Sequence, residues 1–297
     1  MIGVHSGEAV DVGVNGLGRI GVPFTWQAIR DEEIALKAVG NRSIQVANAA
    51  EQIAFDSVHG RLGLPVEVVG DHSLYVDGEL LPLADTLTIS PGLWRGFSER
   101  LVVADCTGHY TTADRAHQHT DVGGAAAVVL SSPANDESIL TIVRGVNDSE
   151  DAIARALDEK VVAVSSCSTN CIAPILKLFE ARSKFPLTQA HAVIVHARTN
   201  SQPHLDGSGD TTAARRSADN TVESSTGSSR EVIRLLPGVV FEADCFRVPV
   251  ADGSVARLSI ELAERVTKQD IVALLTSDVA SDEHLREVIG TEQHDMF

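Results

Sequence analysis

The sequence predicts an α/β protein in two domains, and three observations support that prediction. Its 297 residues are more than one domain usually holds. Two short strand-like stretches, 10–14 with alternating small and apolar residues and the apolar run 161–164, each pass through small residues into apolar residues at helical spacing. Several later runs alternate instead, which is typical of an antiparallel sheet. We therefore predict a parallel-sheet domain over residues 1–165 and an α+β domain with a mostly antiparallel sheet over residues 166–297.

The first of these stretches leads directly into a glycine motif. Residues 15–21 read Asn-Gly-Leu-Gly-Arg-Ile-Gly, which is G-x-G-x-x-G between a strand and a helix. Gly16 permits the tight turn, Gly18 lets the backbone approach a pyrophosphate, and Gly21 lets the helix pack on the strand. Because both flanks are in place, a dinucleotide site outweighs a plain glycine-rich turn. We predict a Rossmann-type dinucleotide-binding domain.

The residue that would hold the adenosine ribose indicates which dinucleotide binds. The strand over residues 34–39 ends without the acidic residue that usually binds the ribose hydroxyls, and Arg42 follows it. A guanidinium pairs well with phosphate oxygens, so Arg42 favours a 2′-phosphate. The alternative is a solvated loop arginine. The prediction is NAD or NADP, with Arg42 favouring NADP.

Two further apolar runs end in small residues that face the same predicted crevice. They contribute Thr107, after the run 101–104, and Ser131, after the run 125–130. The predicted cofactor-binding residues are Gly16, Gly18, Arg19, Ile20, Gly21, Arg42, Thr107 and Ser131.

Cys167 lies at a second junction between strand and helix. The apolar run 161–164 breaks into Ser-Ser-Cys-Ser, and a helical pattern includes Ile172 and Leu176. The partial positive charge at a helix N-terminus favours a thiolate, and its free N–H groups can bind an anion. The plain alternative is a small buried cysteine. The pattern predicts a nucleophile beside an anion site.

Charge and composition exclude several classes of protein. A formal net charge of −17 opposes binding to nucleic acid or to an anionic membrane. No apolar run approaches the ~18 residues of a membrane helix, and no signal sequence is evident, so we expect a cytoplasmic protein. We expect no metal site: the helix predicted over residues 112–119 carries His117 and His119 on its solvated face, without a third ligand.

Seven short segments occur in an order that resembles one family. They are residues 15–21, 56–60, 106–108, 166–174, 195–197, 225–227 and 246–249. On these segments the chain resembles the phosphorylating glyceraldehyde-3-phosphate dehydrogenases and their close relative, erythrose-4-phosphate dehydrogenase. The segment around Cys167 is the most diagnostic.

The resemblance implies roles for individual residues. Cys167 is the expected nucleophile and His196 its base. Thr199 and Arg247 match positions that hold the substrate's own phosphate. The positions for the attacking inorganic phosphate are Ser166, Ser168, Thr226 and Gly227. A further phosphate-binding arginine is either Arg215 or Arg216, and the sequence leaves that choice open.

The resemblance also implies a reaction and an assembly. A sugar-phosphate aldehyde, with glyceraldehyde 3-phosphate or erythrose 4-phosphate as the two options, is oxidised through a cysteine thioester, and inorganic phosphate releases an acyl phosphate. The implied assembly is a homo-oligomer, a tetramer in the family. The family's usual C-terminal strands and helix have no match, so we expect a catalytic domain that lacks them. A non-catalytic dinucleotide-binding relative and a Cys-His hydrolase are the alternatives.

Overall fold

The computed structural model describes residues 8–42, 45–181, 186–199, 202, 219–281 and 283–290. It divides into two units. The first comprises Met1–Ile142 and Ser149–Ser165, and the second comprises Val143–Asp148 and Ser166–Phe297. The segment Val143–Asp148 therefore belongs with the second unit although it precedes residue 165 in the chain.

The first unit is built on one large sheet and a short hairpin. The strands of the sheet are β1 (Val10–Asn15), β2 (Ile34–Asn41), β5 (Val66–Val69), β6 (Ser73–Val76), β7 (Glu79–Asp85), β8 (Val102–Asp105), β9 (Ala127–Leu130), β10 (Leu140–Thr141) and β11 (Val161–Ala163), and the hairpin strands are β3 (Phe55–Asp56) and β4 (Gly60–Arg61). Within the described residues the sheet order is β10-β11-β9-β8-β1-β2-β7-β6-β5. The pairings from β10 through to β7 are parallel, and β5, β6 and β7 pair antiparallel.

Four α-helices occur among the described residues of this unit. They are α1 (Gly21–Arg30), α2 (Val46–Ala54), α3 (Ala113–His117) and α4 (Glu150–Glu159). The buried Val22 and Trp26 of α1 pack with Val12 and Val14 of β1 in one apolar cluster. This burial explains the small and apolar residues of β1, because a central parallel strand is covered on both faces.

The second unit has a smaller sheet. Its strands are β12 (Leu187–Ala197), β13 (Val222–Ser224), β14 (Val240–Val248) and β15 (Ser254–Leu262), and its helices are α5 (Cys167–Ala181), α6 (Ser228–Leu235), α7 (Lys268–Ala273), α8 (Val279–Ser281) and α9 (Glu283–Val288). The order is β13-β14-β12-β15, with β12 and β14 parallel and the other two pairings antiparallel. Ile172 and Leu176 of α5 pack with Val232 of α6 and with Ile194 and Phe241 of the sheet.

The predicted fold class is confirmed: a Rossmann-type domain with a mainly parallel sheet is joined to a domain with a mostly antiparallel sheet. Among the residues described, no helix combines the length and the apolar character needed to cross a membrane.

Candidate functional site

Cys167 and His196 lie within hydrogen-bonding distance in the second unit. Cys167 is the first residue of α5 and is exposed, and its Sγ lies 3.4 Å from His196 Nε2. His196 Nδ1 lies 3.2 Å from the carbonyl oxygen of Ala197. A carbonyl oxygen only accepts, so Nδ1 carries the proton and donates it. In the neutral imidazole the lone pair is then on Nε2 and faces the thiol, which is the arrangement of a base beside a nucleophile.

The start of α5 is held by the residues around Cys167. Ser166 Oγ accepts a hydrogen bond from the backbone N–H of Thr169 at 3.2 Å, as an N-cap residue does. Its hydroxyl also lies 2.9 Å from the Thr169 hydroxyl, and Thr169 is buried. Ser168 Oγ is 3.9 Å from the Cys167 Sγ. The thiol therefore lies at a capped helix N-terminus, where the free N–H groups and the helix dipole favour negative charge.

Arg247 reaches the same carbonyl group that orients the imidazole. It pairs with His196 in the register of β14 and β12, and its Nη1 donates to the Ala197 carbonyl oxygen at 3.1 Å. This contact places a guanidinium group beside His196. A single carbonyl group thus links the predicted base to the predicted phosphate ligand.

The other predicted phosphate ligands lie on neighbouring elements of the second unit. Thr226 and Gly227 precede α6, a helix that contacts α5, and Thr226 Oγ1 accepts from the Ser228 N–H at 3.2 Å. Thr199 follows β12, and its N–H donates to Gln202 Oε1 at 3.0 Å. Arg215 and Arg216 lie outside the described residues.

The glycine motif of the first unit has the geometry of a dinucleotide turn. Gly16 has φ +98°, a conformation that side-chain-bearing residues rarely adopt. A Cβ on Gly21 would lie 1.7 Å from the Gly16 carbonyl oxygen, whereas a Cβ on Gly18 would meet nothing in the described structure within 4 Å. The open side at Gly18 is where a pyrophosphate needs access to the backbone, so these residues fit the cofactor.

The remaining cofactor candidates lie near the same edge of the sheet. Arg19 and Ile20 belong to the turn, Ile20 being exposed, and Arg42 follows β2. Thr107 follows β8, and Thr107 Oγ1 donates to Asp105 Oδ1 at 2.9 Å. The N–H of Ser131 donates to the Asp105 carbonyl oxygen at 3.0 Å.

Cys106 follows Asp105 in the chain, and burial raises the pKa of its thiol to about 11. Cys106 is therefore a poor nucleophile at neutral pH.

Sequence reasoning missed a buried polar network in the first unit. Asp105 accepts from Asn15 Nδ2 at 2.7 Å, and His119 Nε2 lies 3.5 Å from Asp105 Oδ2. Trp94 Nε1 donates to His119 Nδ1 at 2.8 Å. The expectation that His119 lies on a solvated helix face was wrong, because α3 ends at His117 and the π-helical turn that follows buries His119 completely.

No group of three or more His, Cys, Asp or Glu side chains suited to a metal ion occurs in the part of the chain that the structure describes.

Comparisons with known proteins match both units. Residues 166–297 match a family model described as the C-terminal domain of glyceraldehyde 3-phosphate dehydrogenase, and residues 10–113 match the NAD binding domain of that family. Glyceraldehyde-3-phosphate dehydrogenase 1 of Bacillus subtilis (strain 168) is 33% identical over 285 residues, which cover 95% of this chain and 82% of the relative. The enzyme of Priestia megaterium is also 33% identical, over the same shares of the two chains. Glyceraldehyde-3-phosphate dehydrogenase 1 of Nostoc sp. is 32% identical over 284 residues, or 94% of this chain and 80% of the relative.

Proposed function

Because the chain belongs to the glyceraldehyde-3-phosphate dehydrogenase family, we propose that it oxidises glyceraldehyde 3-phosphate to an acyl phosphate, with inorganic phosphate as the second substrate. The observation that supports this most strongly is the 3.4 Å separation of Cys167 Sγ and His196 Nε2. In this proposal residues 1–165 bind the cofactor and residues 166–297 carry the chemistry.

The first step uses the orientation of His196. Its unprotonated Nε2 takes the proton of the Cys167 thiol, and the resulting thiolate adds to the aldehyde carbon. The carbonyl π-electrons move to oxygen, which collects a proton from the imidazolium and becomes the hydroxyl of a hemithioacetal. His196 Nε2 is thereby unprotonated again.

His196 then acts a second time. A bound nicotinamide would supply the acceptor for the hydride of the former aldehyde carbon. His196 Nε2 removes the hydroxyl proton as that hydride departs, which yields a thioester on Cys167. Phosphate oxygen attacks the thioester carbon, the C–S bond breaks, and the acyl phosphate leaves with the thiolate restored. The N–H groups at the start of α5 are suited to stabilise the oxyanion that forms in this step.

Two groups of residues would hold the two phosphates. We assign Arg247 and Thr199 to the phosphate of the substrate, because Arg247 lies beside His196. The attacking phosphate is assigned to Ser166, Ser168, Thr226 and Gly227. Helices α5 and α6 begin at Cys167 and Ser228, and their N-termini provide the anion-binding N–H groups for this second site.

We propose that the first unit binds a nicotinamide dinucleotide. The match of residues 10–113 to an NAD binding domain supports NAD binding. We propose that NADP is preferred over NAD, because Arg42 directly follows β2, where an acidic residue would otherwise bind the ribose hydroxyls.

We also propose a cytoplasmic homotetramer. All four cysteines are free, which suits a reducing compartment. The outer face of the second sheet exposes Val195, Phe246 and Val255 in adjacent strands, and such an apolar row suits burial against a second copy of the chain.

Formation of reduced cofactor from glyceraldehyde 3-phosphate tests the proposal. Activity should require phosphate, and Cys167→Ser should lower kcat/KM by on the order of 10³ or more because the nucleophile is lost. His196→Asn should lower kcat/KM by a factor on the order of 10²–10⁴, because the base is lost. Erythrose 4-phosphate serves as the competing substrate, and a higher kcat/KM with it would replace the proposed substrate.

Two results would contradict the proposal outright. Wild-type activity no higher than that of Cys167→Ser, with both NAD and NADP, would point to a non-catalytic relative. Ester turnover by cofactor-free protein, without aldehyde oxidation, would point to a hydrolase.

A further inference from the structure

A pocket of about 200 Å³ in the first unit gathers positively charged side chains near the predicted adenosine site. Its lining residues are Arg42, Thr86, Leu87, Thr107, His109, Tyr110, Arg115 and Gln118. These include two guanidinium groups and an imidazole, and no carboxylate side chain lies among the described lining residues. The pocket is therefore suited to an anion.

Arg42 and His109 are in direct contact. Arg42 Nη2 lies 2.8 Å from His109 Nε2, and because a guanidinium only donates, Nε2 accepts this hydrogen bond. Arg115 Nη1 donates to the carbonyl oxygen of His109 at 3.2 Å. The three residues thus form one hydrogen-bonded group although they come from two different parts of the chain.

Tyr110 lines the same pocket as both arginines. Burial and the charge of Asp105 raise the pKa of the Tyr110 phenol, while Arg42 and Arg115 oppose the rise. The two positive charges therefore act on the phenol from the lining of this pocket.

One wall of the pocket also contains an unpaired polar group. Thr86 is 1% exposed, and its Oγ1 has no hydrogen-bond partner among the described residues. A buried hydroxyl without a partner is costly, so Thr86 is an unsatisfied group in the wall of this pocket.

The pocket lies at the edge of the sheet where the adenosine half of a dinucleotide is expected. Arg42 follows β2, and His109 and Arg115 belong to the connection from β8 and to α3. Both strands pair with β1, which leads into the glycine turn. Ligands of open parallel sheets bind outside the carboxyl ends of the strands.

We infer that His109 and Arg115 join Arg42 to form the binding site for the 2′-phosphate of NADP. This inference rests on the proposed function, since it takes the first unit as the dinucleotide-binding domain. A phosphate monoester brings a charge of about −1.5 to −2 and three strong acceptor oxygens. With NAD the two guanidinium groups have no such anion to neutralise them, so the pocket discriminates by the phosphate.

Calorimetry on the full chain tests the site without relying on catalysis. The probes are adenosine 2′,5′-bisphosphate and ADP, of which only the first carries a 2′-phosphate. Arg115→Gln should weaken binding of the bisphosphate by about tenfold or more, and His109→Gln by several-fold, since each loses a contact to a charged phosphate. ADP binding should change by less than about twofold in both variants.

Arg155→Gln is the matched control. Arg155 lies on α4, where it pairs with Glu159, so the variant removes one positive charge from the same unit but not from the pocket. It should leave the binding of both probes within about twofold of wild type. Circular dichroism and thermal unfolding verify that each variant is folded before binding is measured.

Three outcomes would overturn the inference. Equal weakening of both probes would mean that the residues contact the shared part of the nucleotide. Unchanged bisphosphate binding in both variants would remove them from the site, and so would bisphosphate binding no tighter than that of ADP in wild type. If Cys167-dependent oxidation persists alongside any of these results, the proposed aldehyde oxidation stands and only the 2′-phosphate site fails. If the probes behave as expected but that oxidation is absent, the 2′-phosphate site stands and the proposed oxidation fails.

Discussion

At the scale of single residues, one backbone carbonyl organises the chemistry of the second unit. The Ala197 oxygen accepts from His196 Nδ1 and from Arg247 Nη1, so it sets the tautomer of the base and positions a phosphate ligand at once. Cys171, one helical turn beyond Cys167, is the obvious competitor as a reactive thiol. Desolvation of the thiol and the nearby Cys167 raise the pKa of Cys171, although the residue as a whole is exposed.

His196→Gln should slow alkylation of Cys167 by iodoacetamide near neutral pH by about tenfold or more, because no acceptor then receives the thiol proton. The rate is measured by mass spectrometry of the modified peptide in cofactor-free protein. Cys171→Ser is the control, and in this variant Cys167 should be alkylated at the wild-type rate. Equal rates in wild type and His196→Gln would show that the imidazole does not activate the thiol.

Asp11→Asn should destabilise the folded chain by about 1–3 kcal/mol at neutral pH. Burial acts to raise the pKa of Asp11, but hydrogen bonds from Ser98 and Arg100 and the charge of Lys37 outweigh it, so the folded pKa lies below the unfolded value. The stabilisation is therefore complete above about pH 4 and is lost as the pH falls through the folded pKa.

Denaturant unfolding at several pH values, followed by circular dichroism, measures this difference. The difference in the free energy of unfolding between wild type and Asp11→Asn should disappear on acidification. A gap that stays constant from pH 7 to the acidic limit of folding would show that the carboxylate charge contributes nothing.

At the scale of elements, the glycine turn shows how local geometry can be read from sequence. The φ of +98° at Gly16 and the close approach of Gly21 to the Gly16 carbonyl are what the motif predicts. The prediction of one helix over residues 112–119 was only partly correct, because the α-helix ends at His117. Helical periodicity does not distinguish an α-helix from a π-helical turn, and the turn over Gln118–Val122 directs His119 into the core.

Gly18→Ala and Gly21→Ala should fail in different ways. Alanine at Gly21 collides with the Gly16 carbonyl oxygen and should cost about 2 kcal/mol or more of stability. Alanine at Gly18 meets open space, so its thermal unfolding should match wild type, while cofactor binding should weaken by about tenfold because the methyl group blocks the pyrophosphate. Thermal unfolding and calorimetry with NAD and NADP separate the two effects. Normal cofactor affinity in Gly18→Ala would place the pyrophosphate elsewhere.

At the scale of the whole molecule, the second sheet has two different faces. The face packed under α5 and α6 holds Ile194, Phe241 and Cys245, all buried. On the outer face Val195 is 38%, Phe246 36% and Val255 69% exposed, and these three pair across the strands. Exposed apolar residues in register favour association with another chain.

Val255→Glu should lower the number of chains in the proposed tetramer, because a buried unpaired carboxylate opposes the interface. Size-exclusion chromatography with light scattering measures the mass. Leu157→Glu is the matched control, since Leu157 is 68% exposed on α4 and should tolerate the charge. A tetramer that survives Val255→Glu would exclude this face from the contact.

The sequence by itself determined what depends on neighbouring residues: the glycine turn, the buried parallel strands, the start of a helix at Cys167 and the missing acid after β2. Their physical requirements are local, namely backbone conformation, apolar periodicity and free N–H groups. The family resemblance implied that His196 serves Cys167, but only the tertiary structure decided the 3.4 Å geometry of that pair. It also decided the parallel pairing of β12 with β14, the burial of His119 and the grouping of Arg42 with His109. Each of these depends on segments far apart in the chain, which are brought together by the burial of apolar surface between strands and helices rather than by any local pattern.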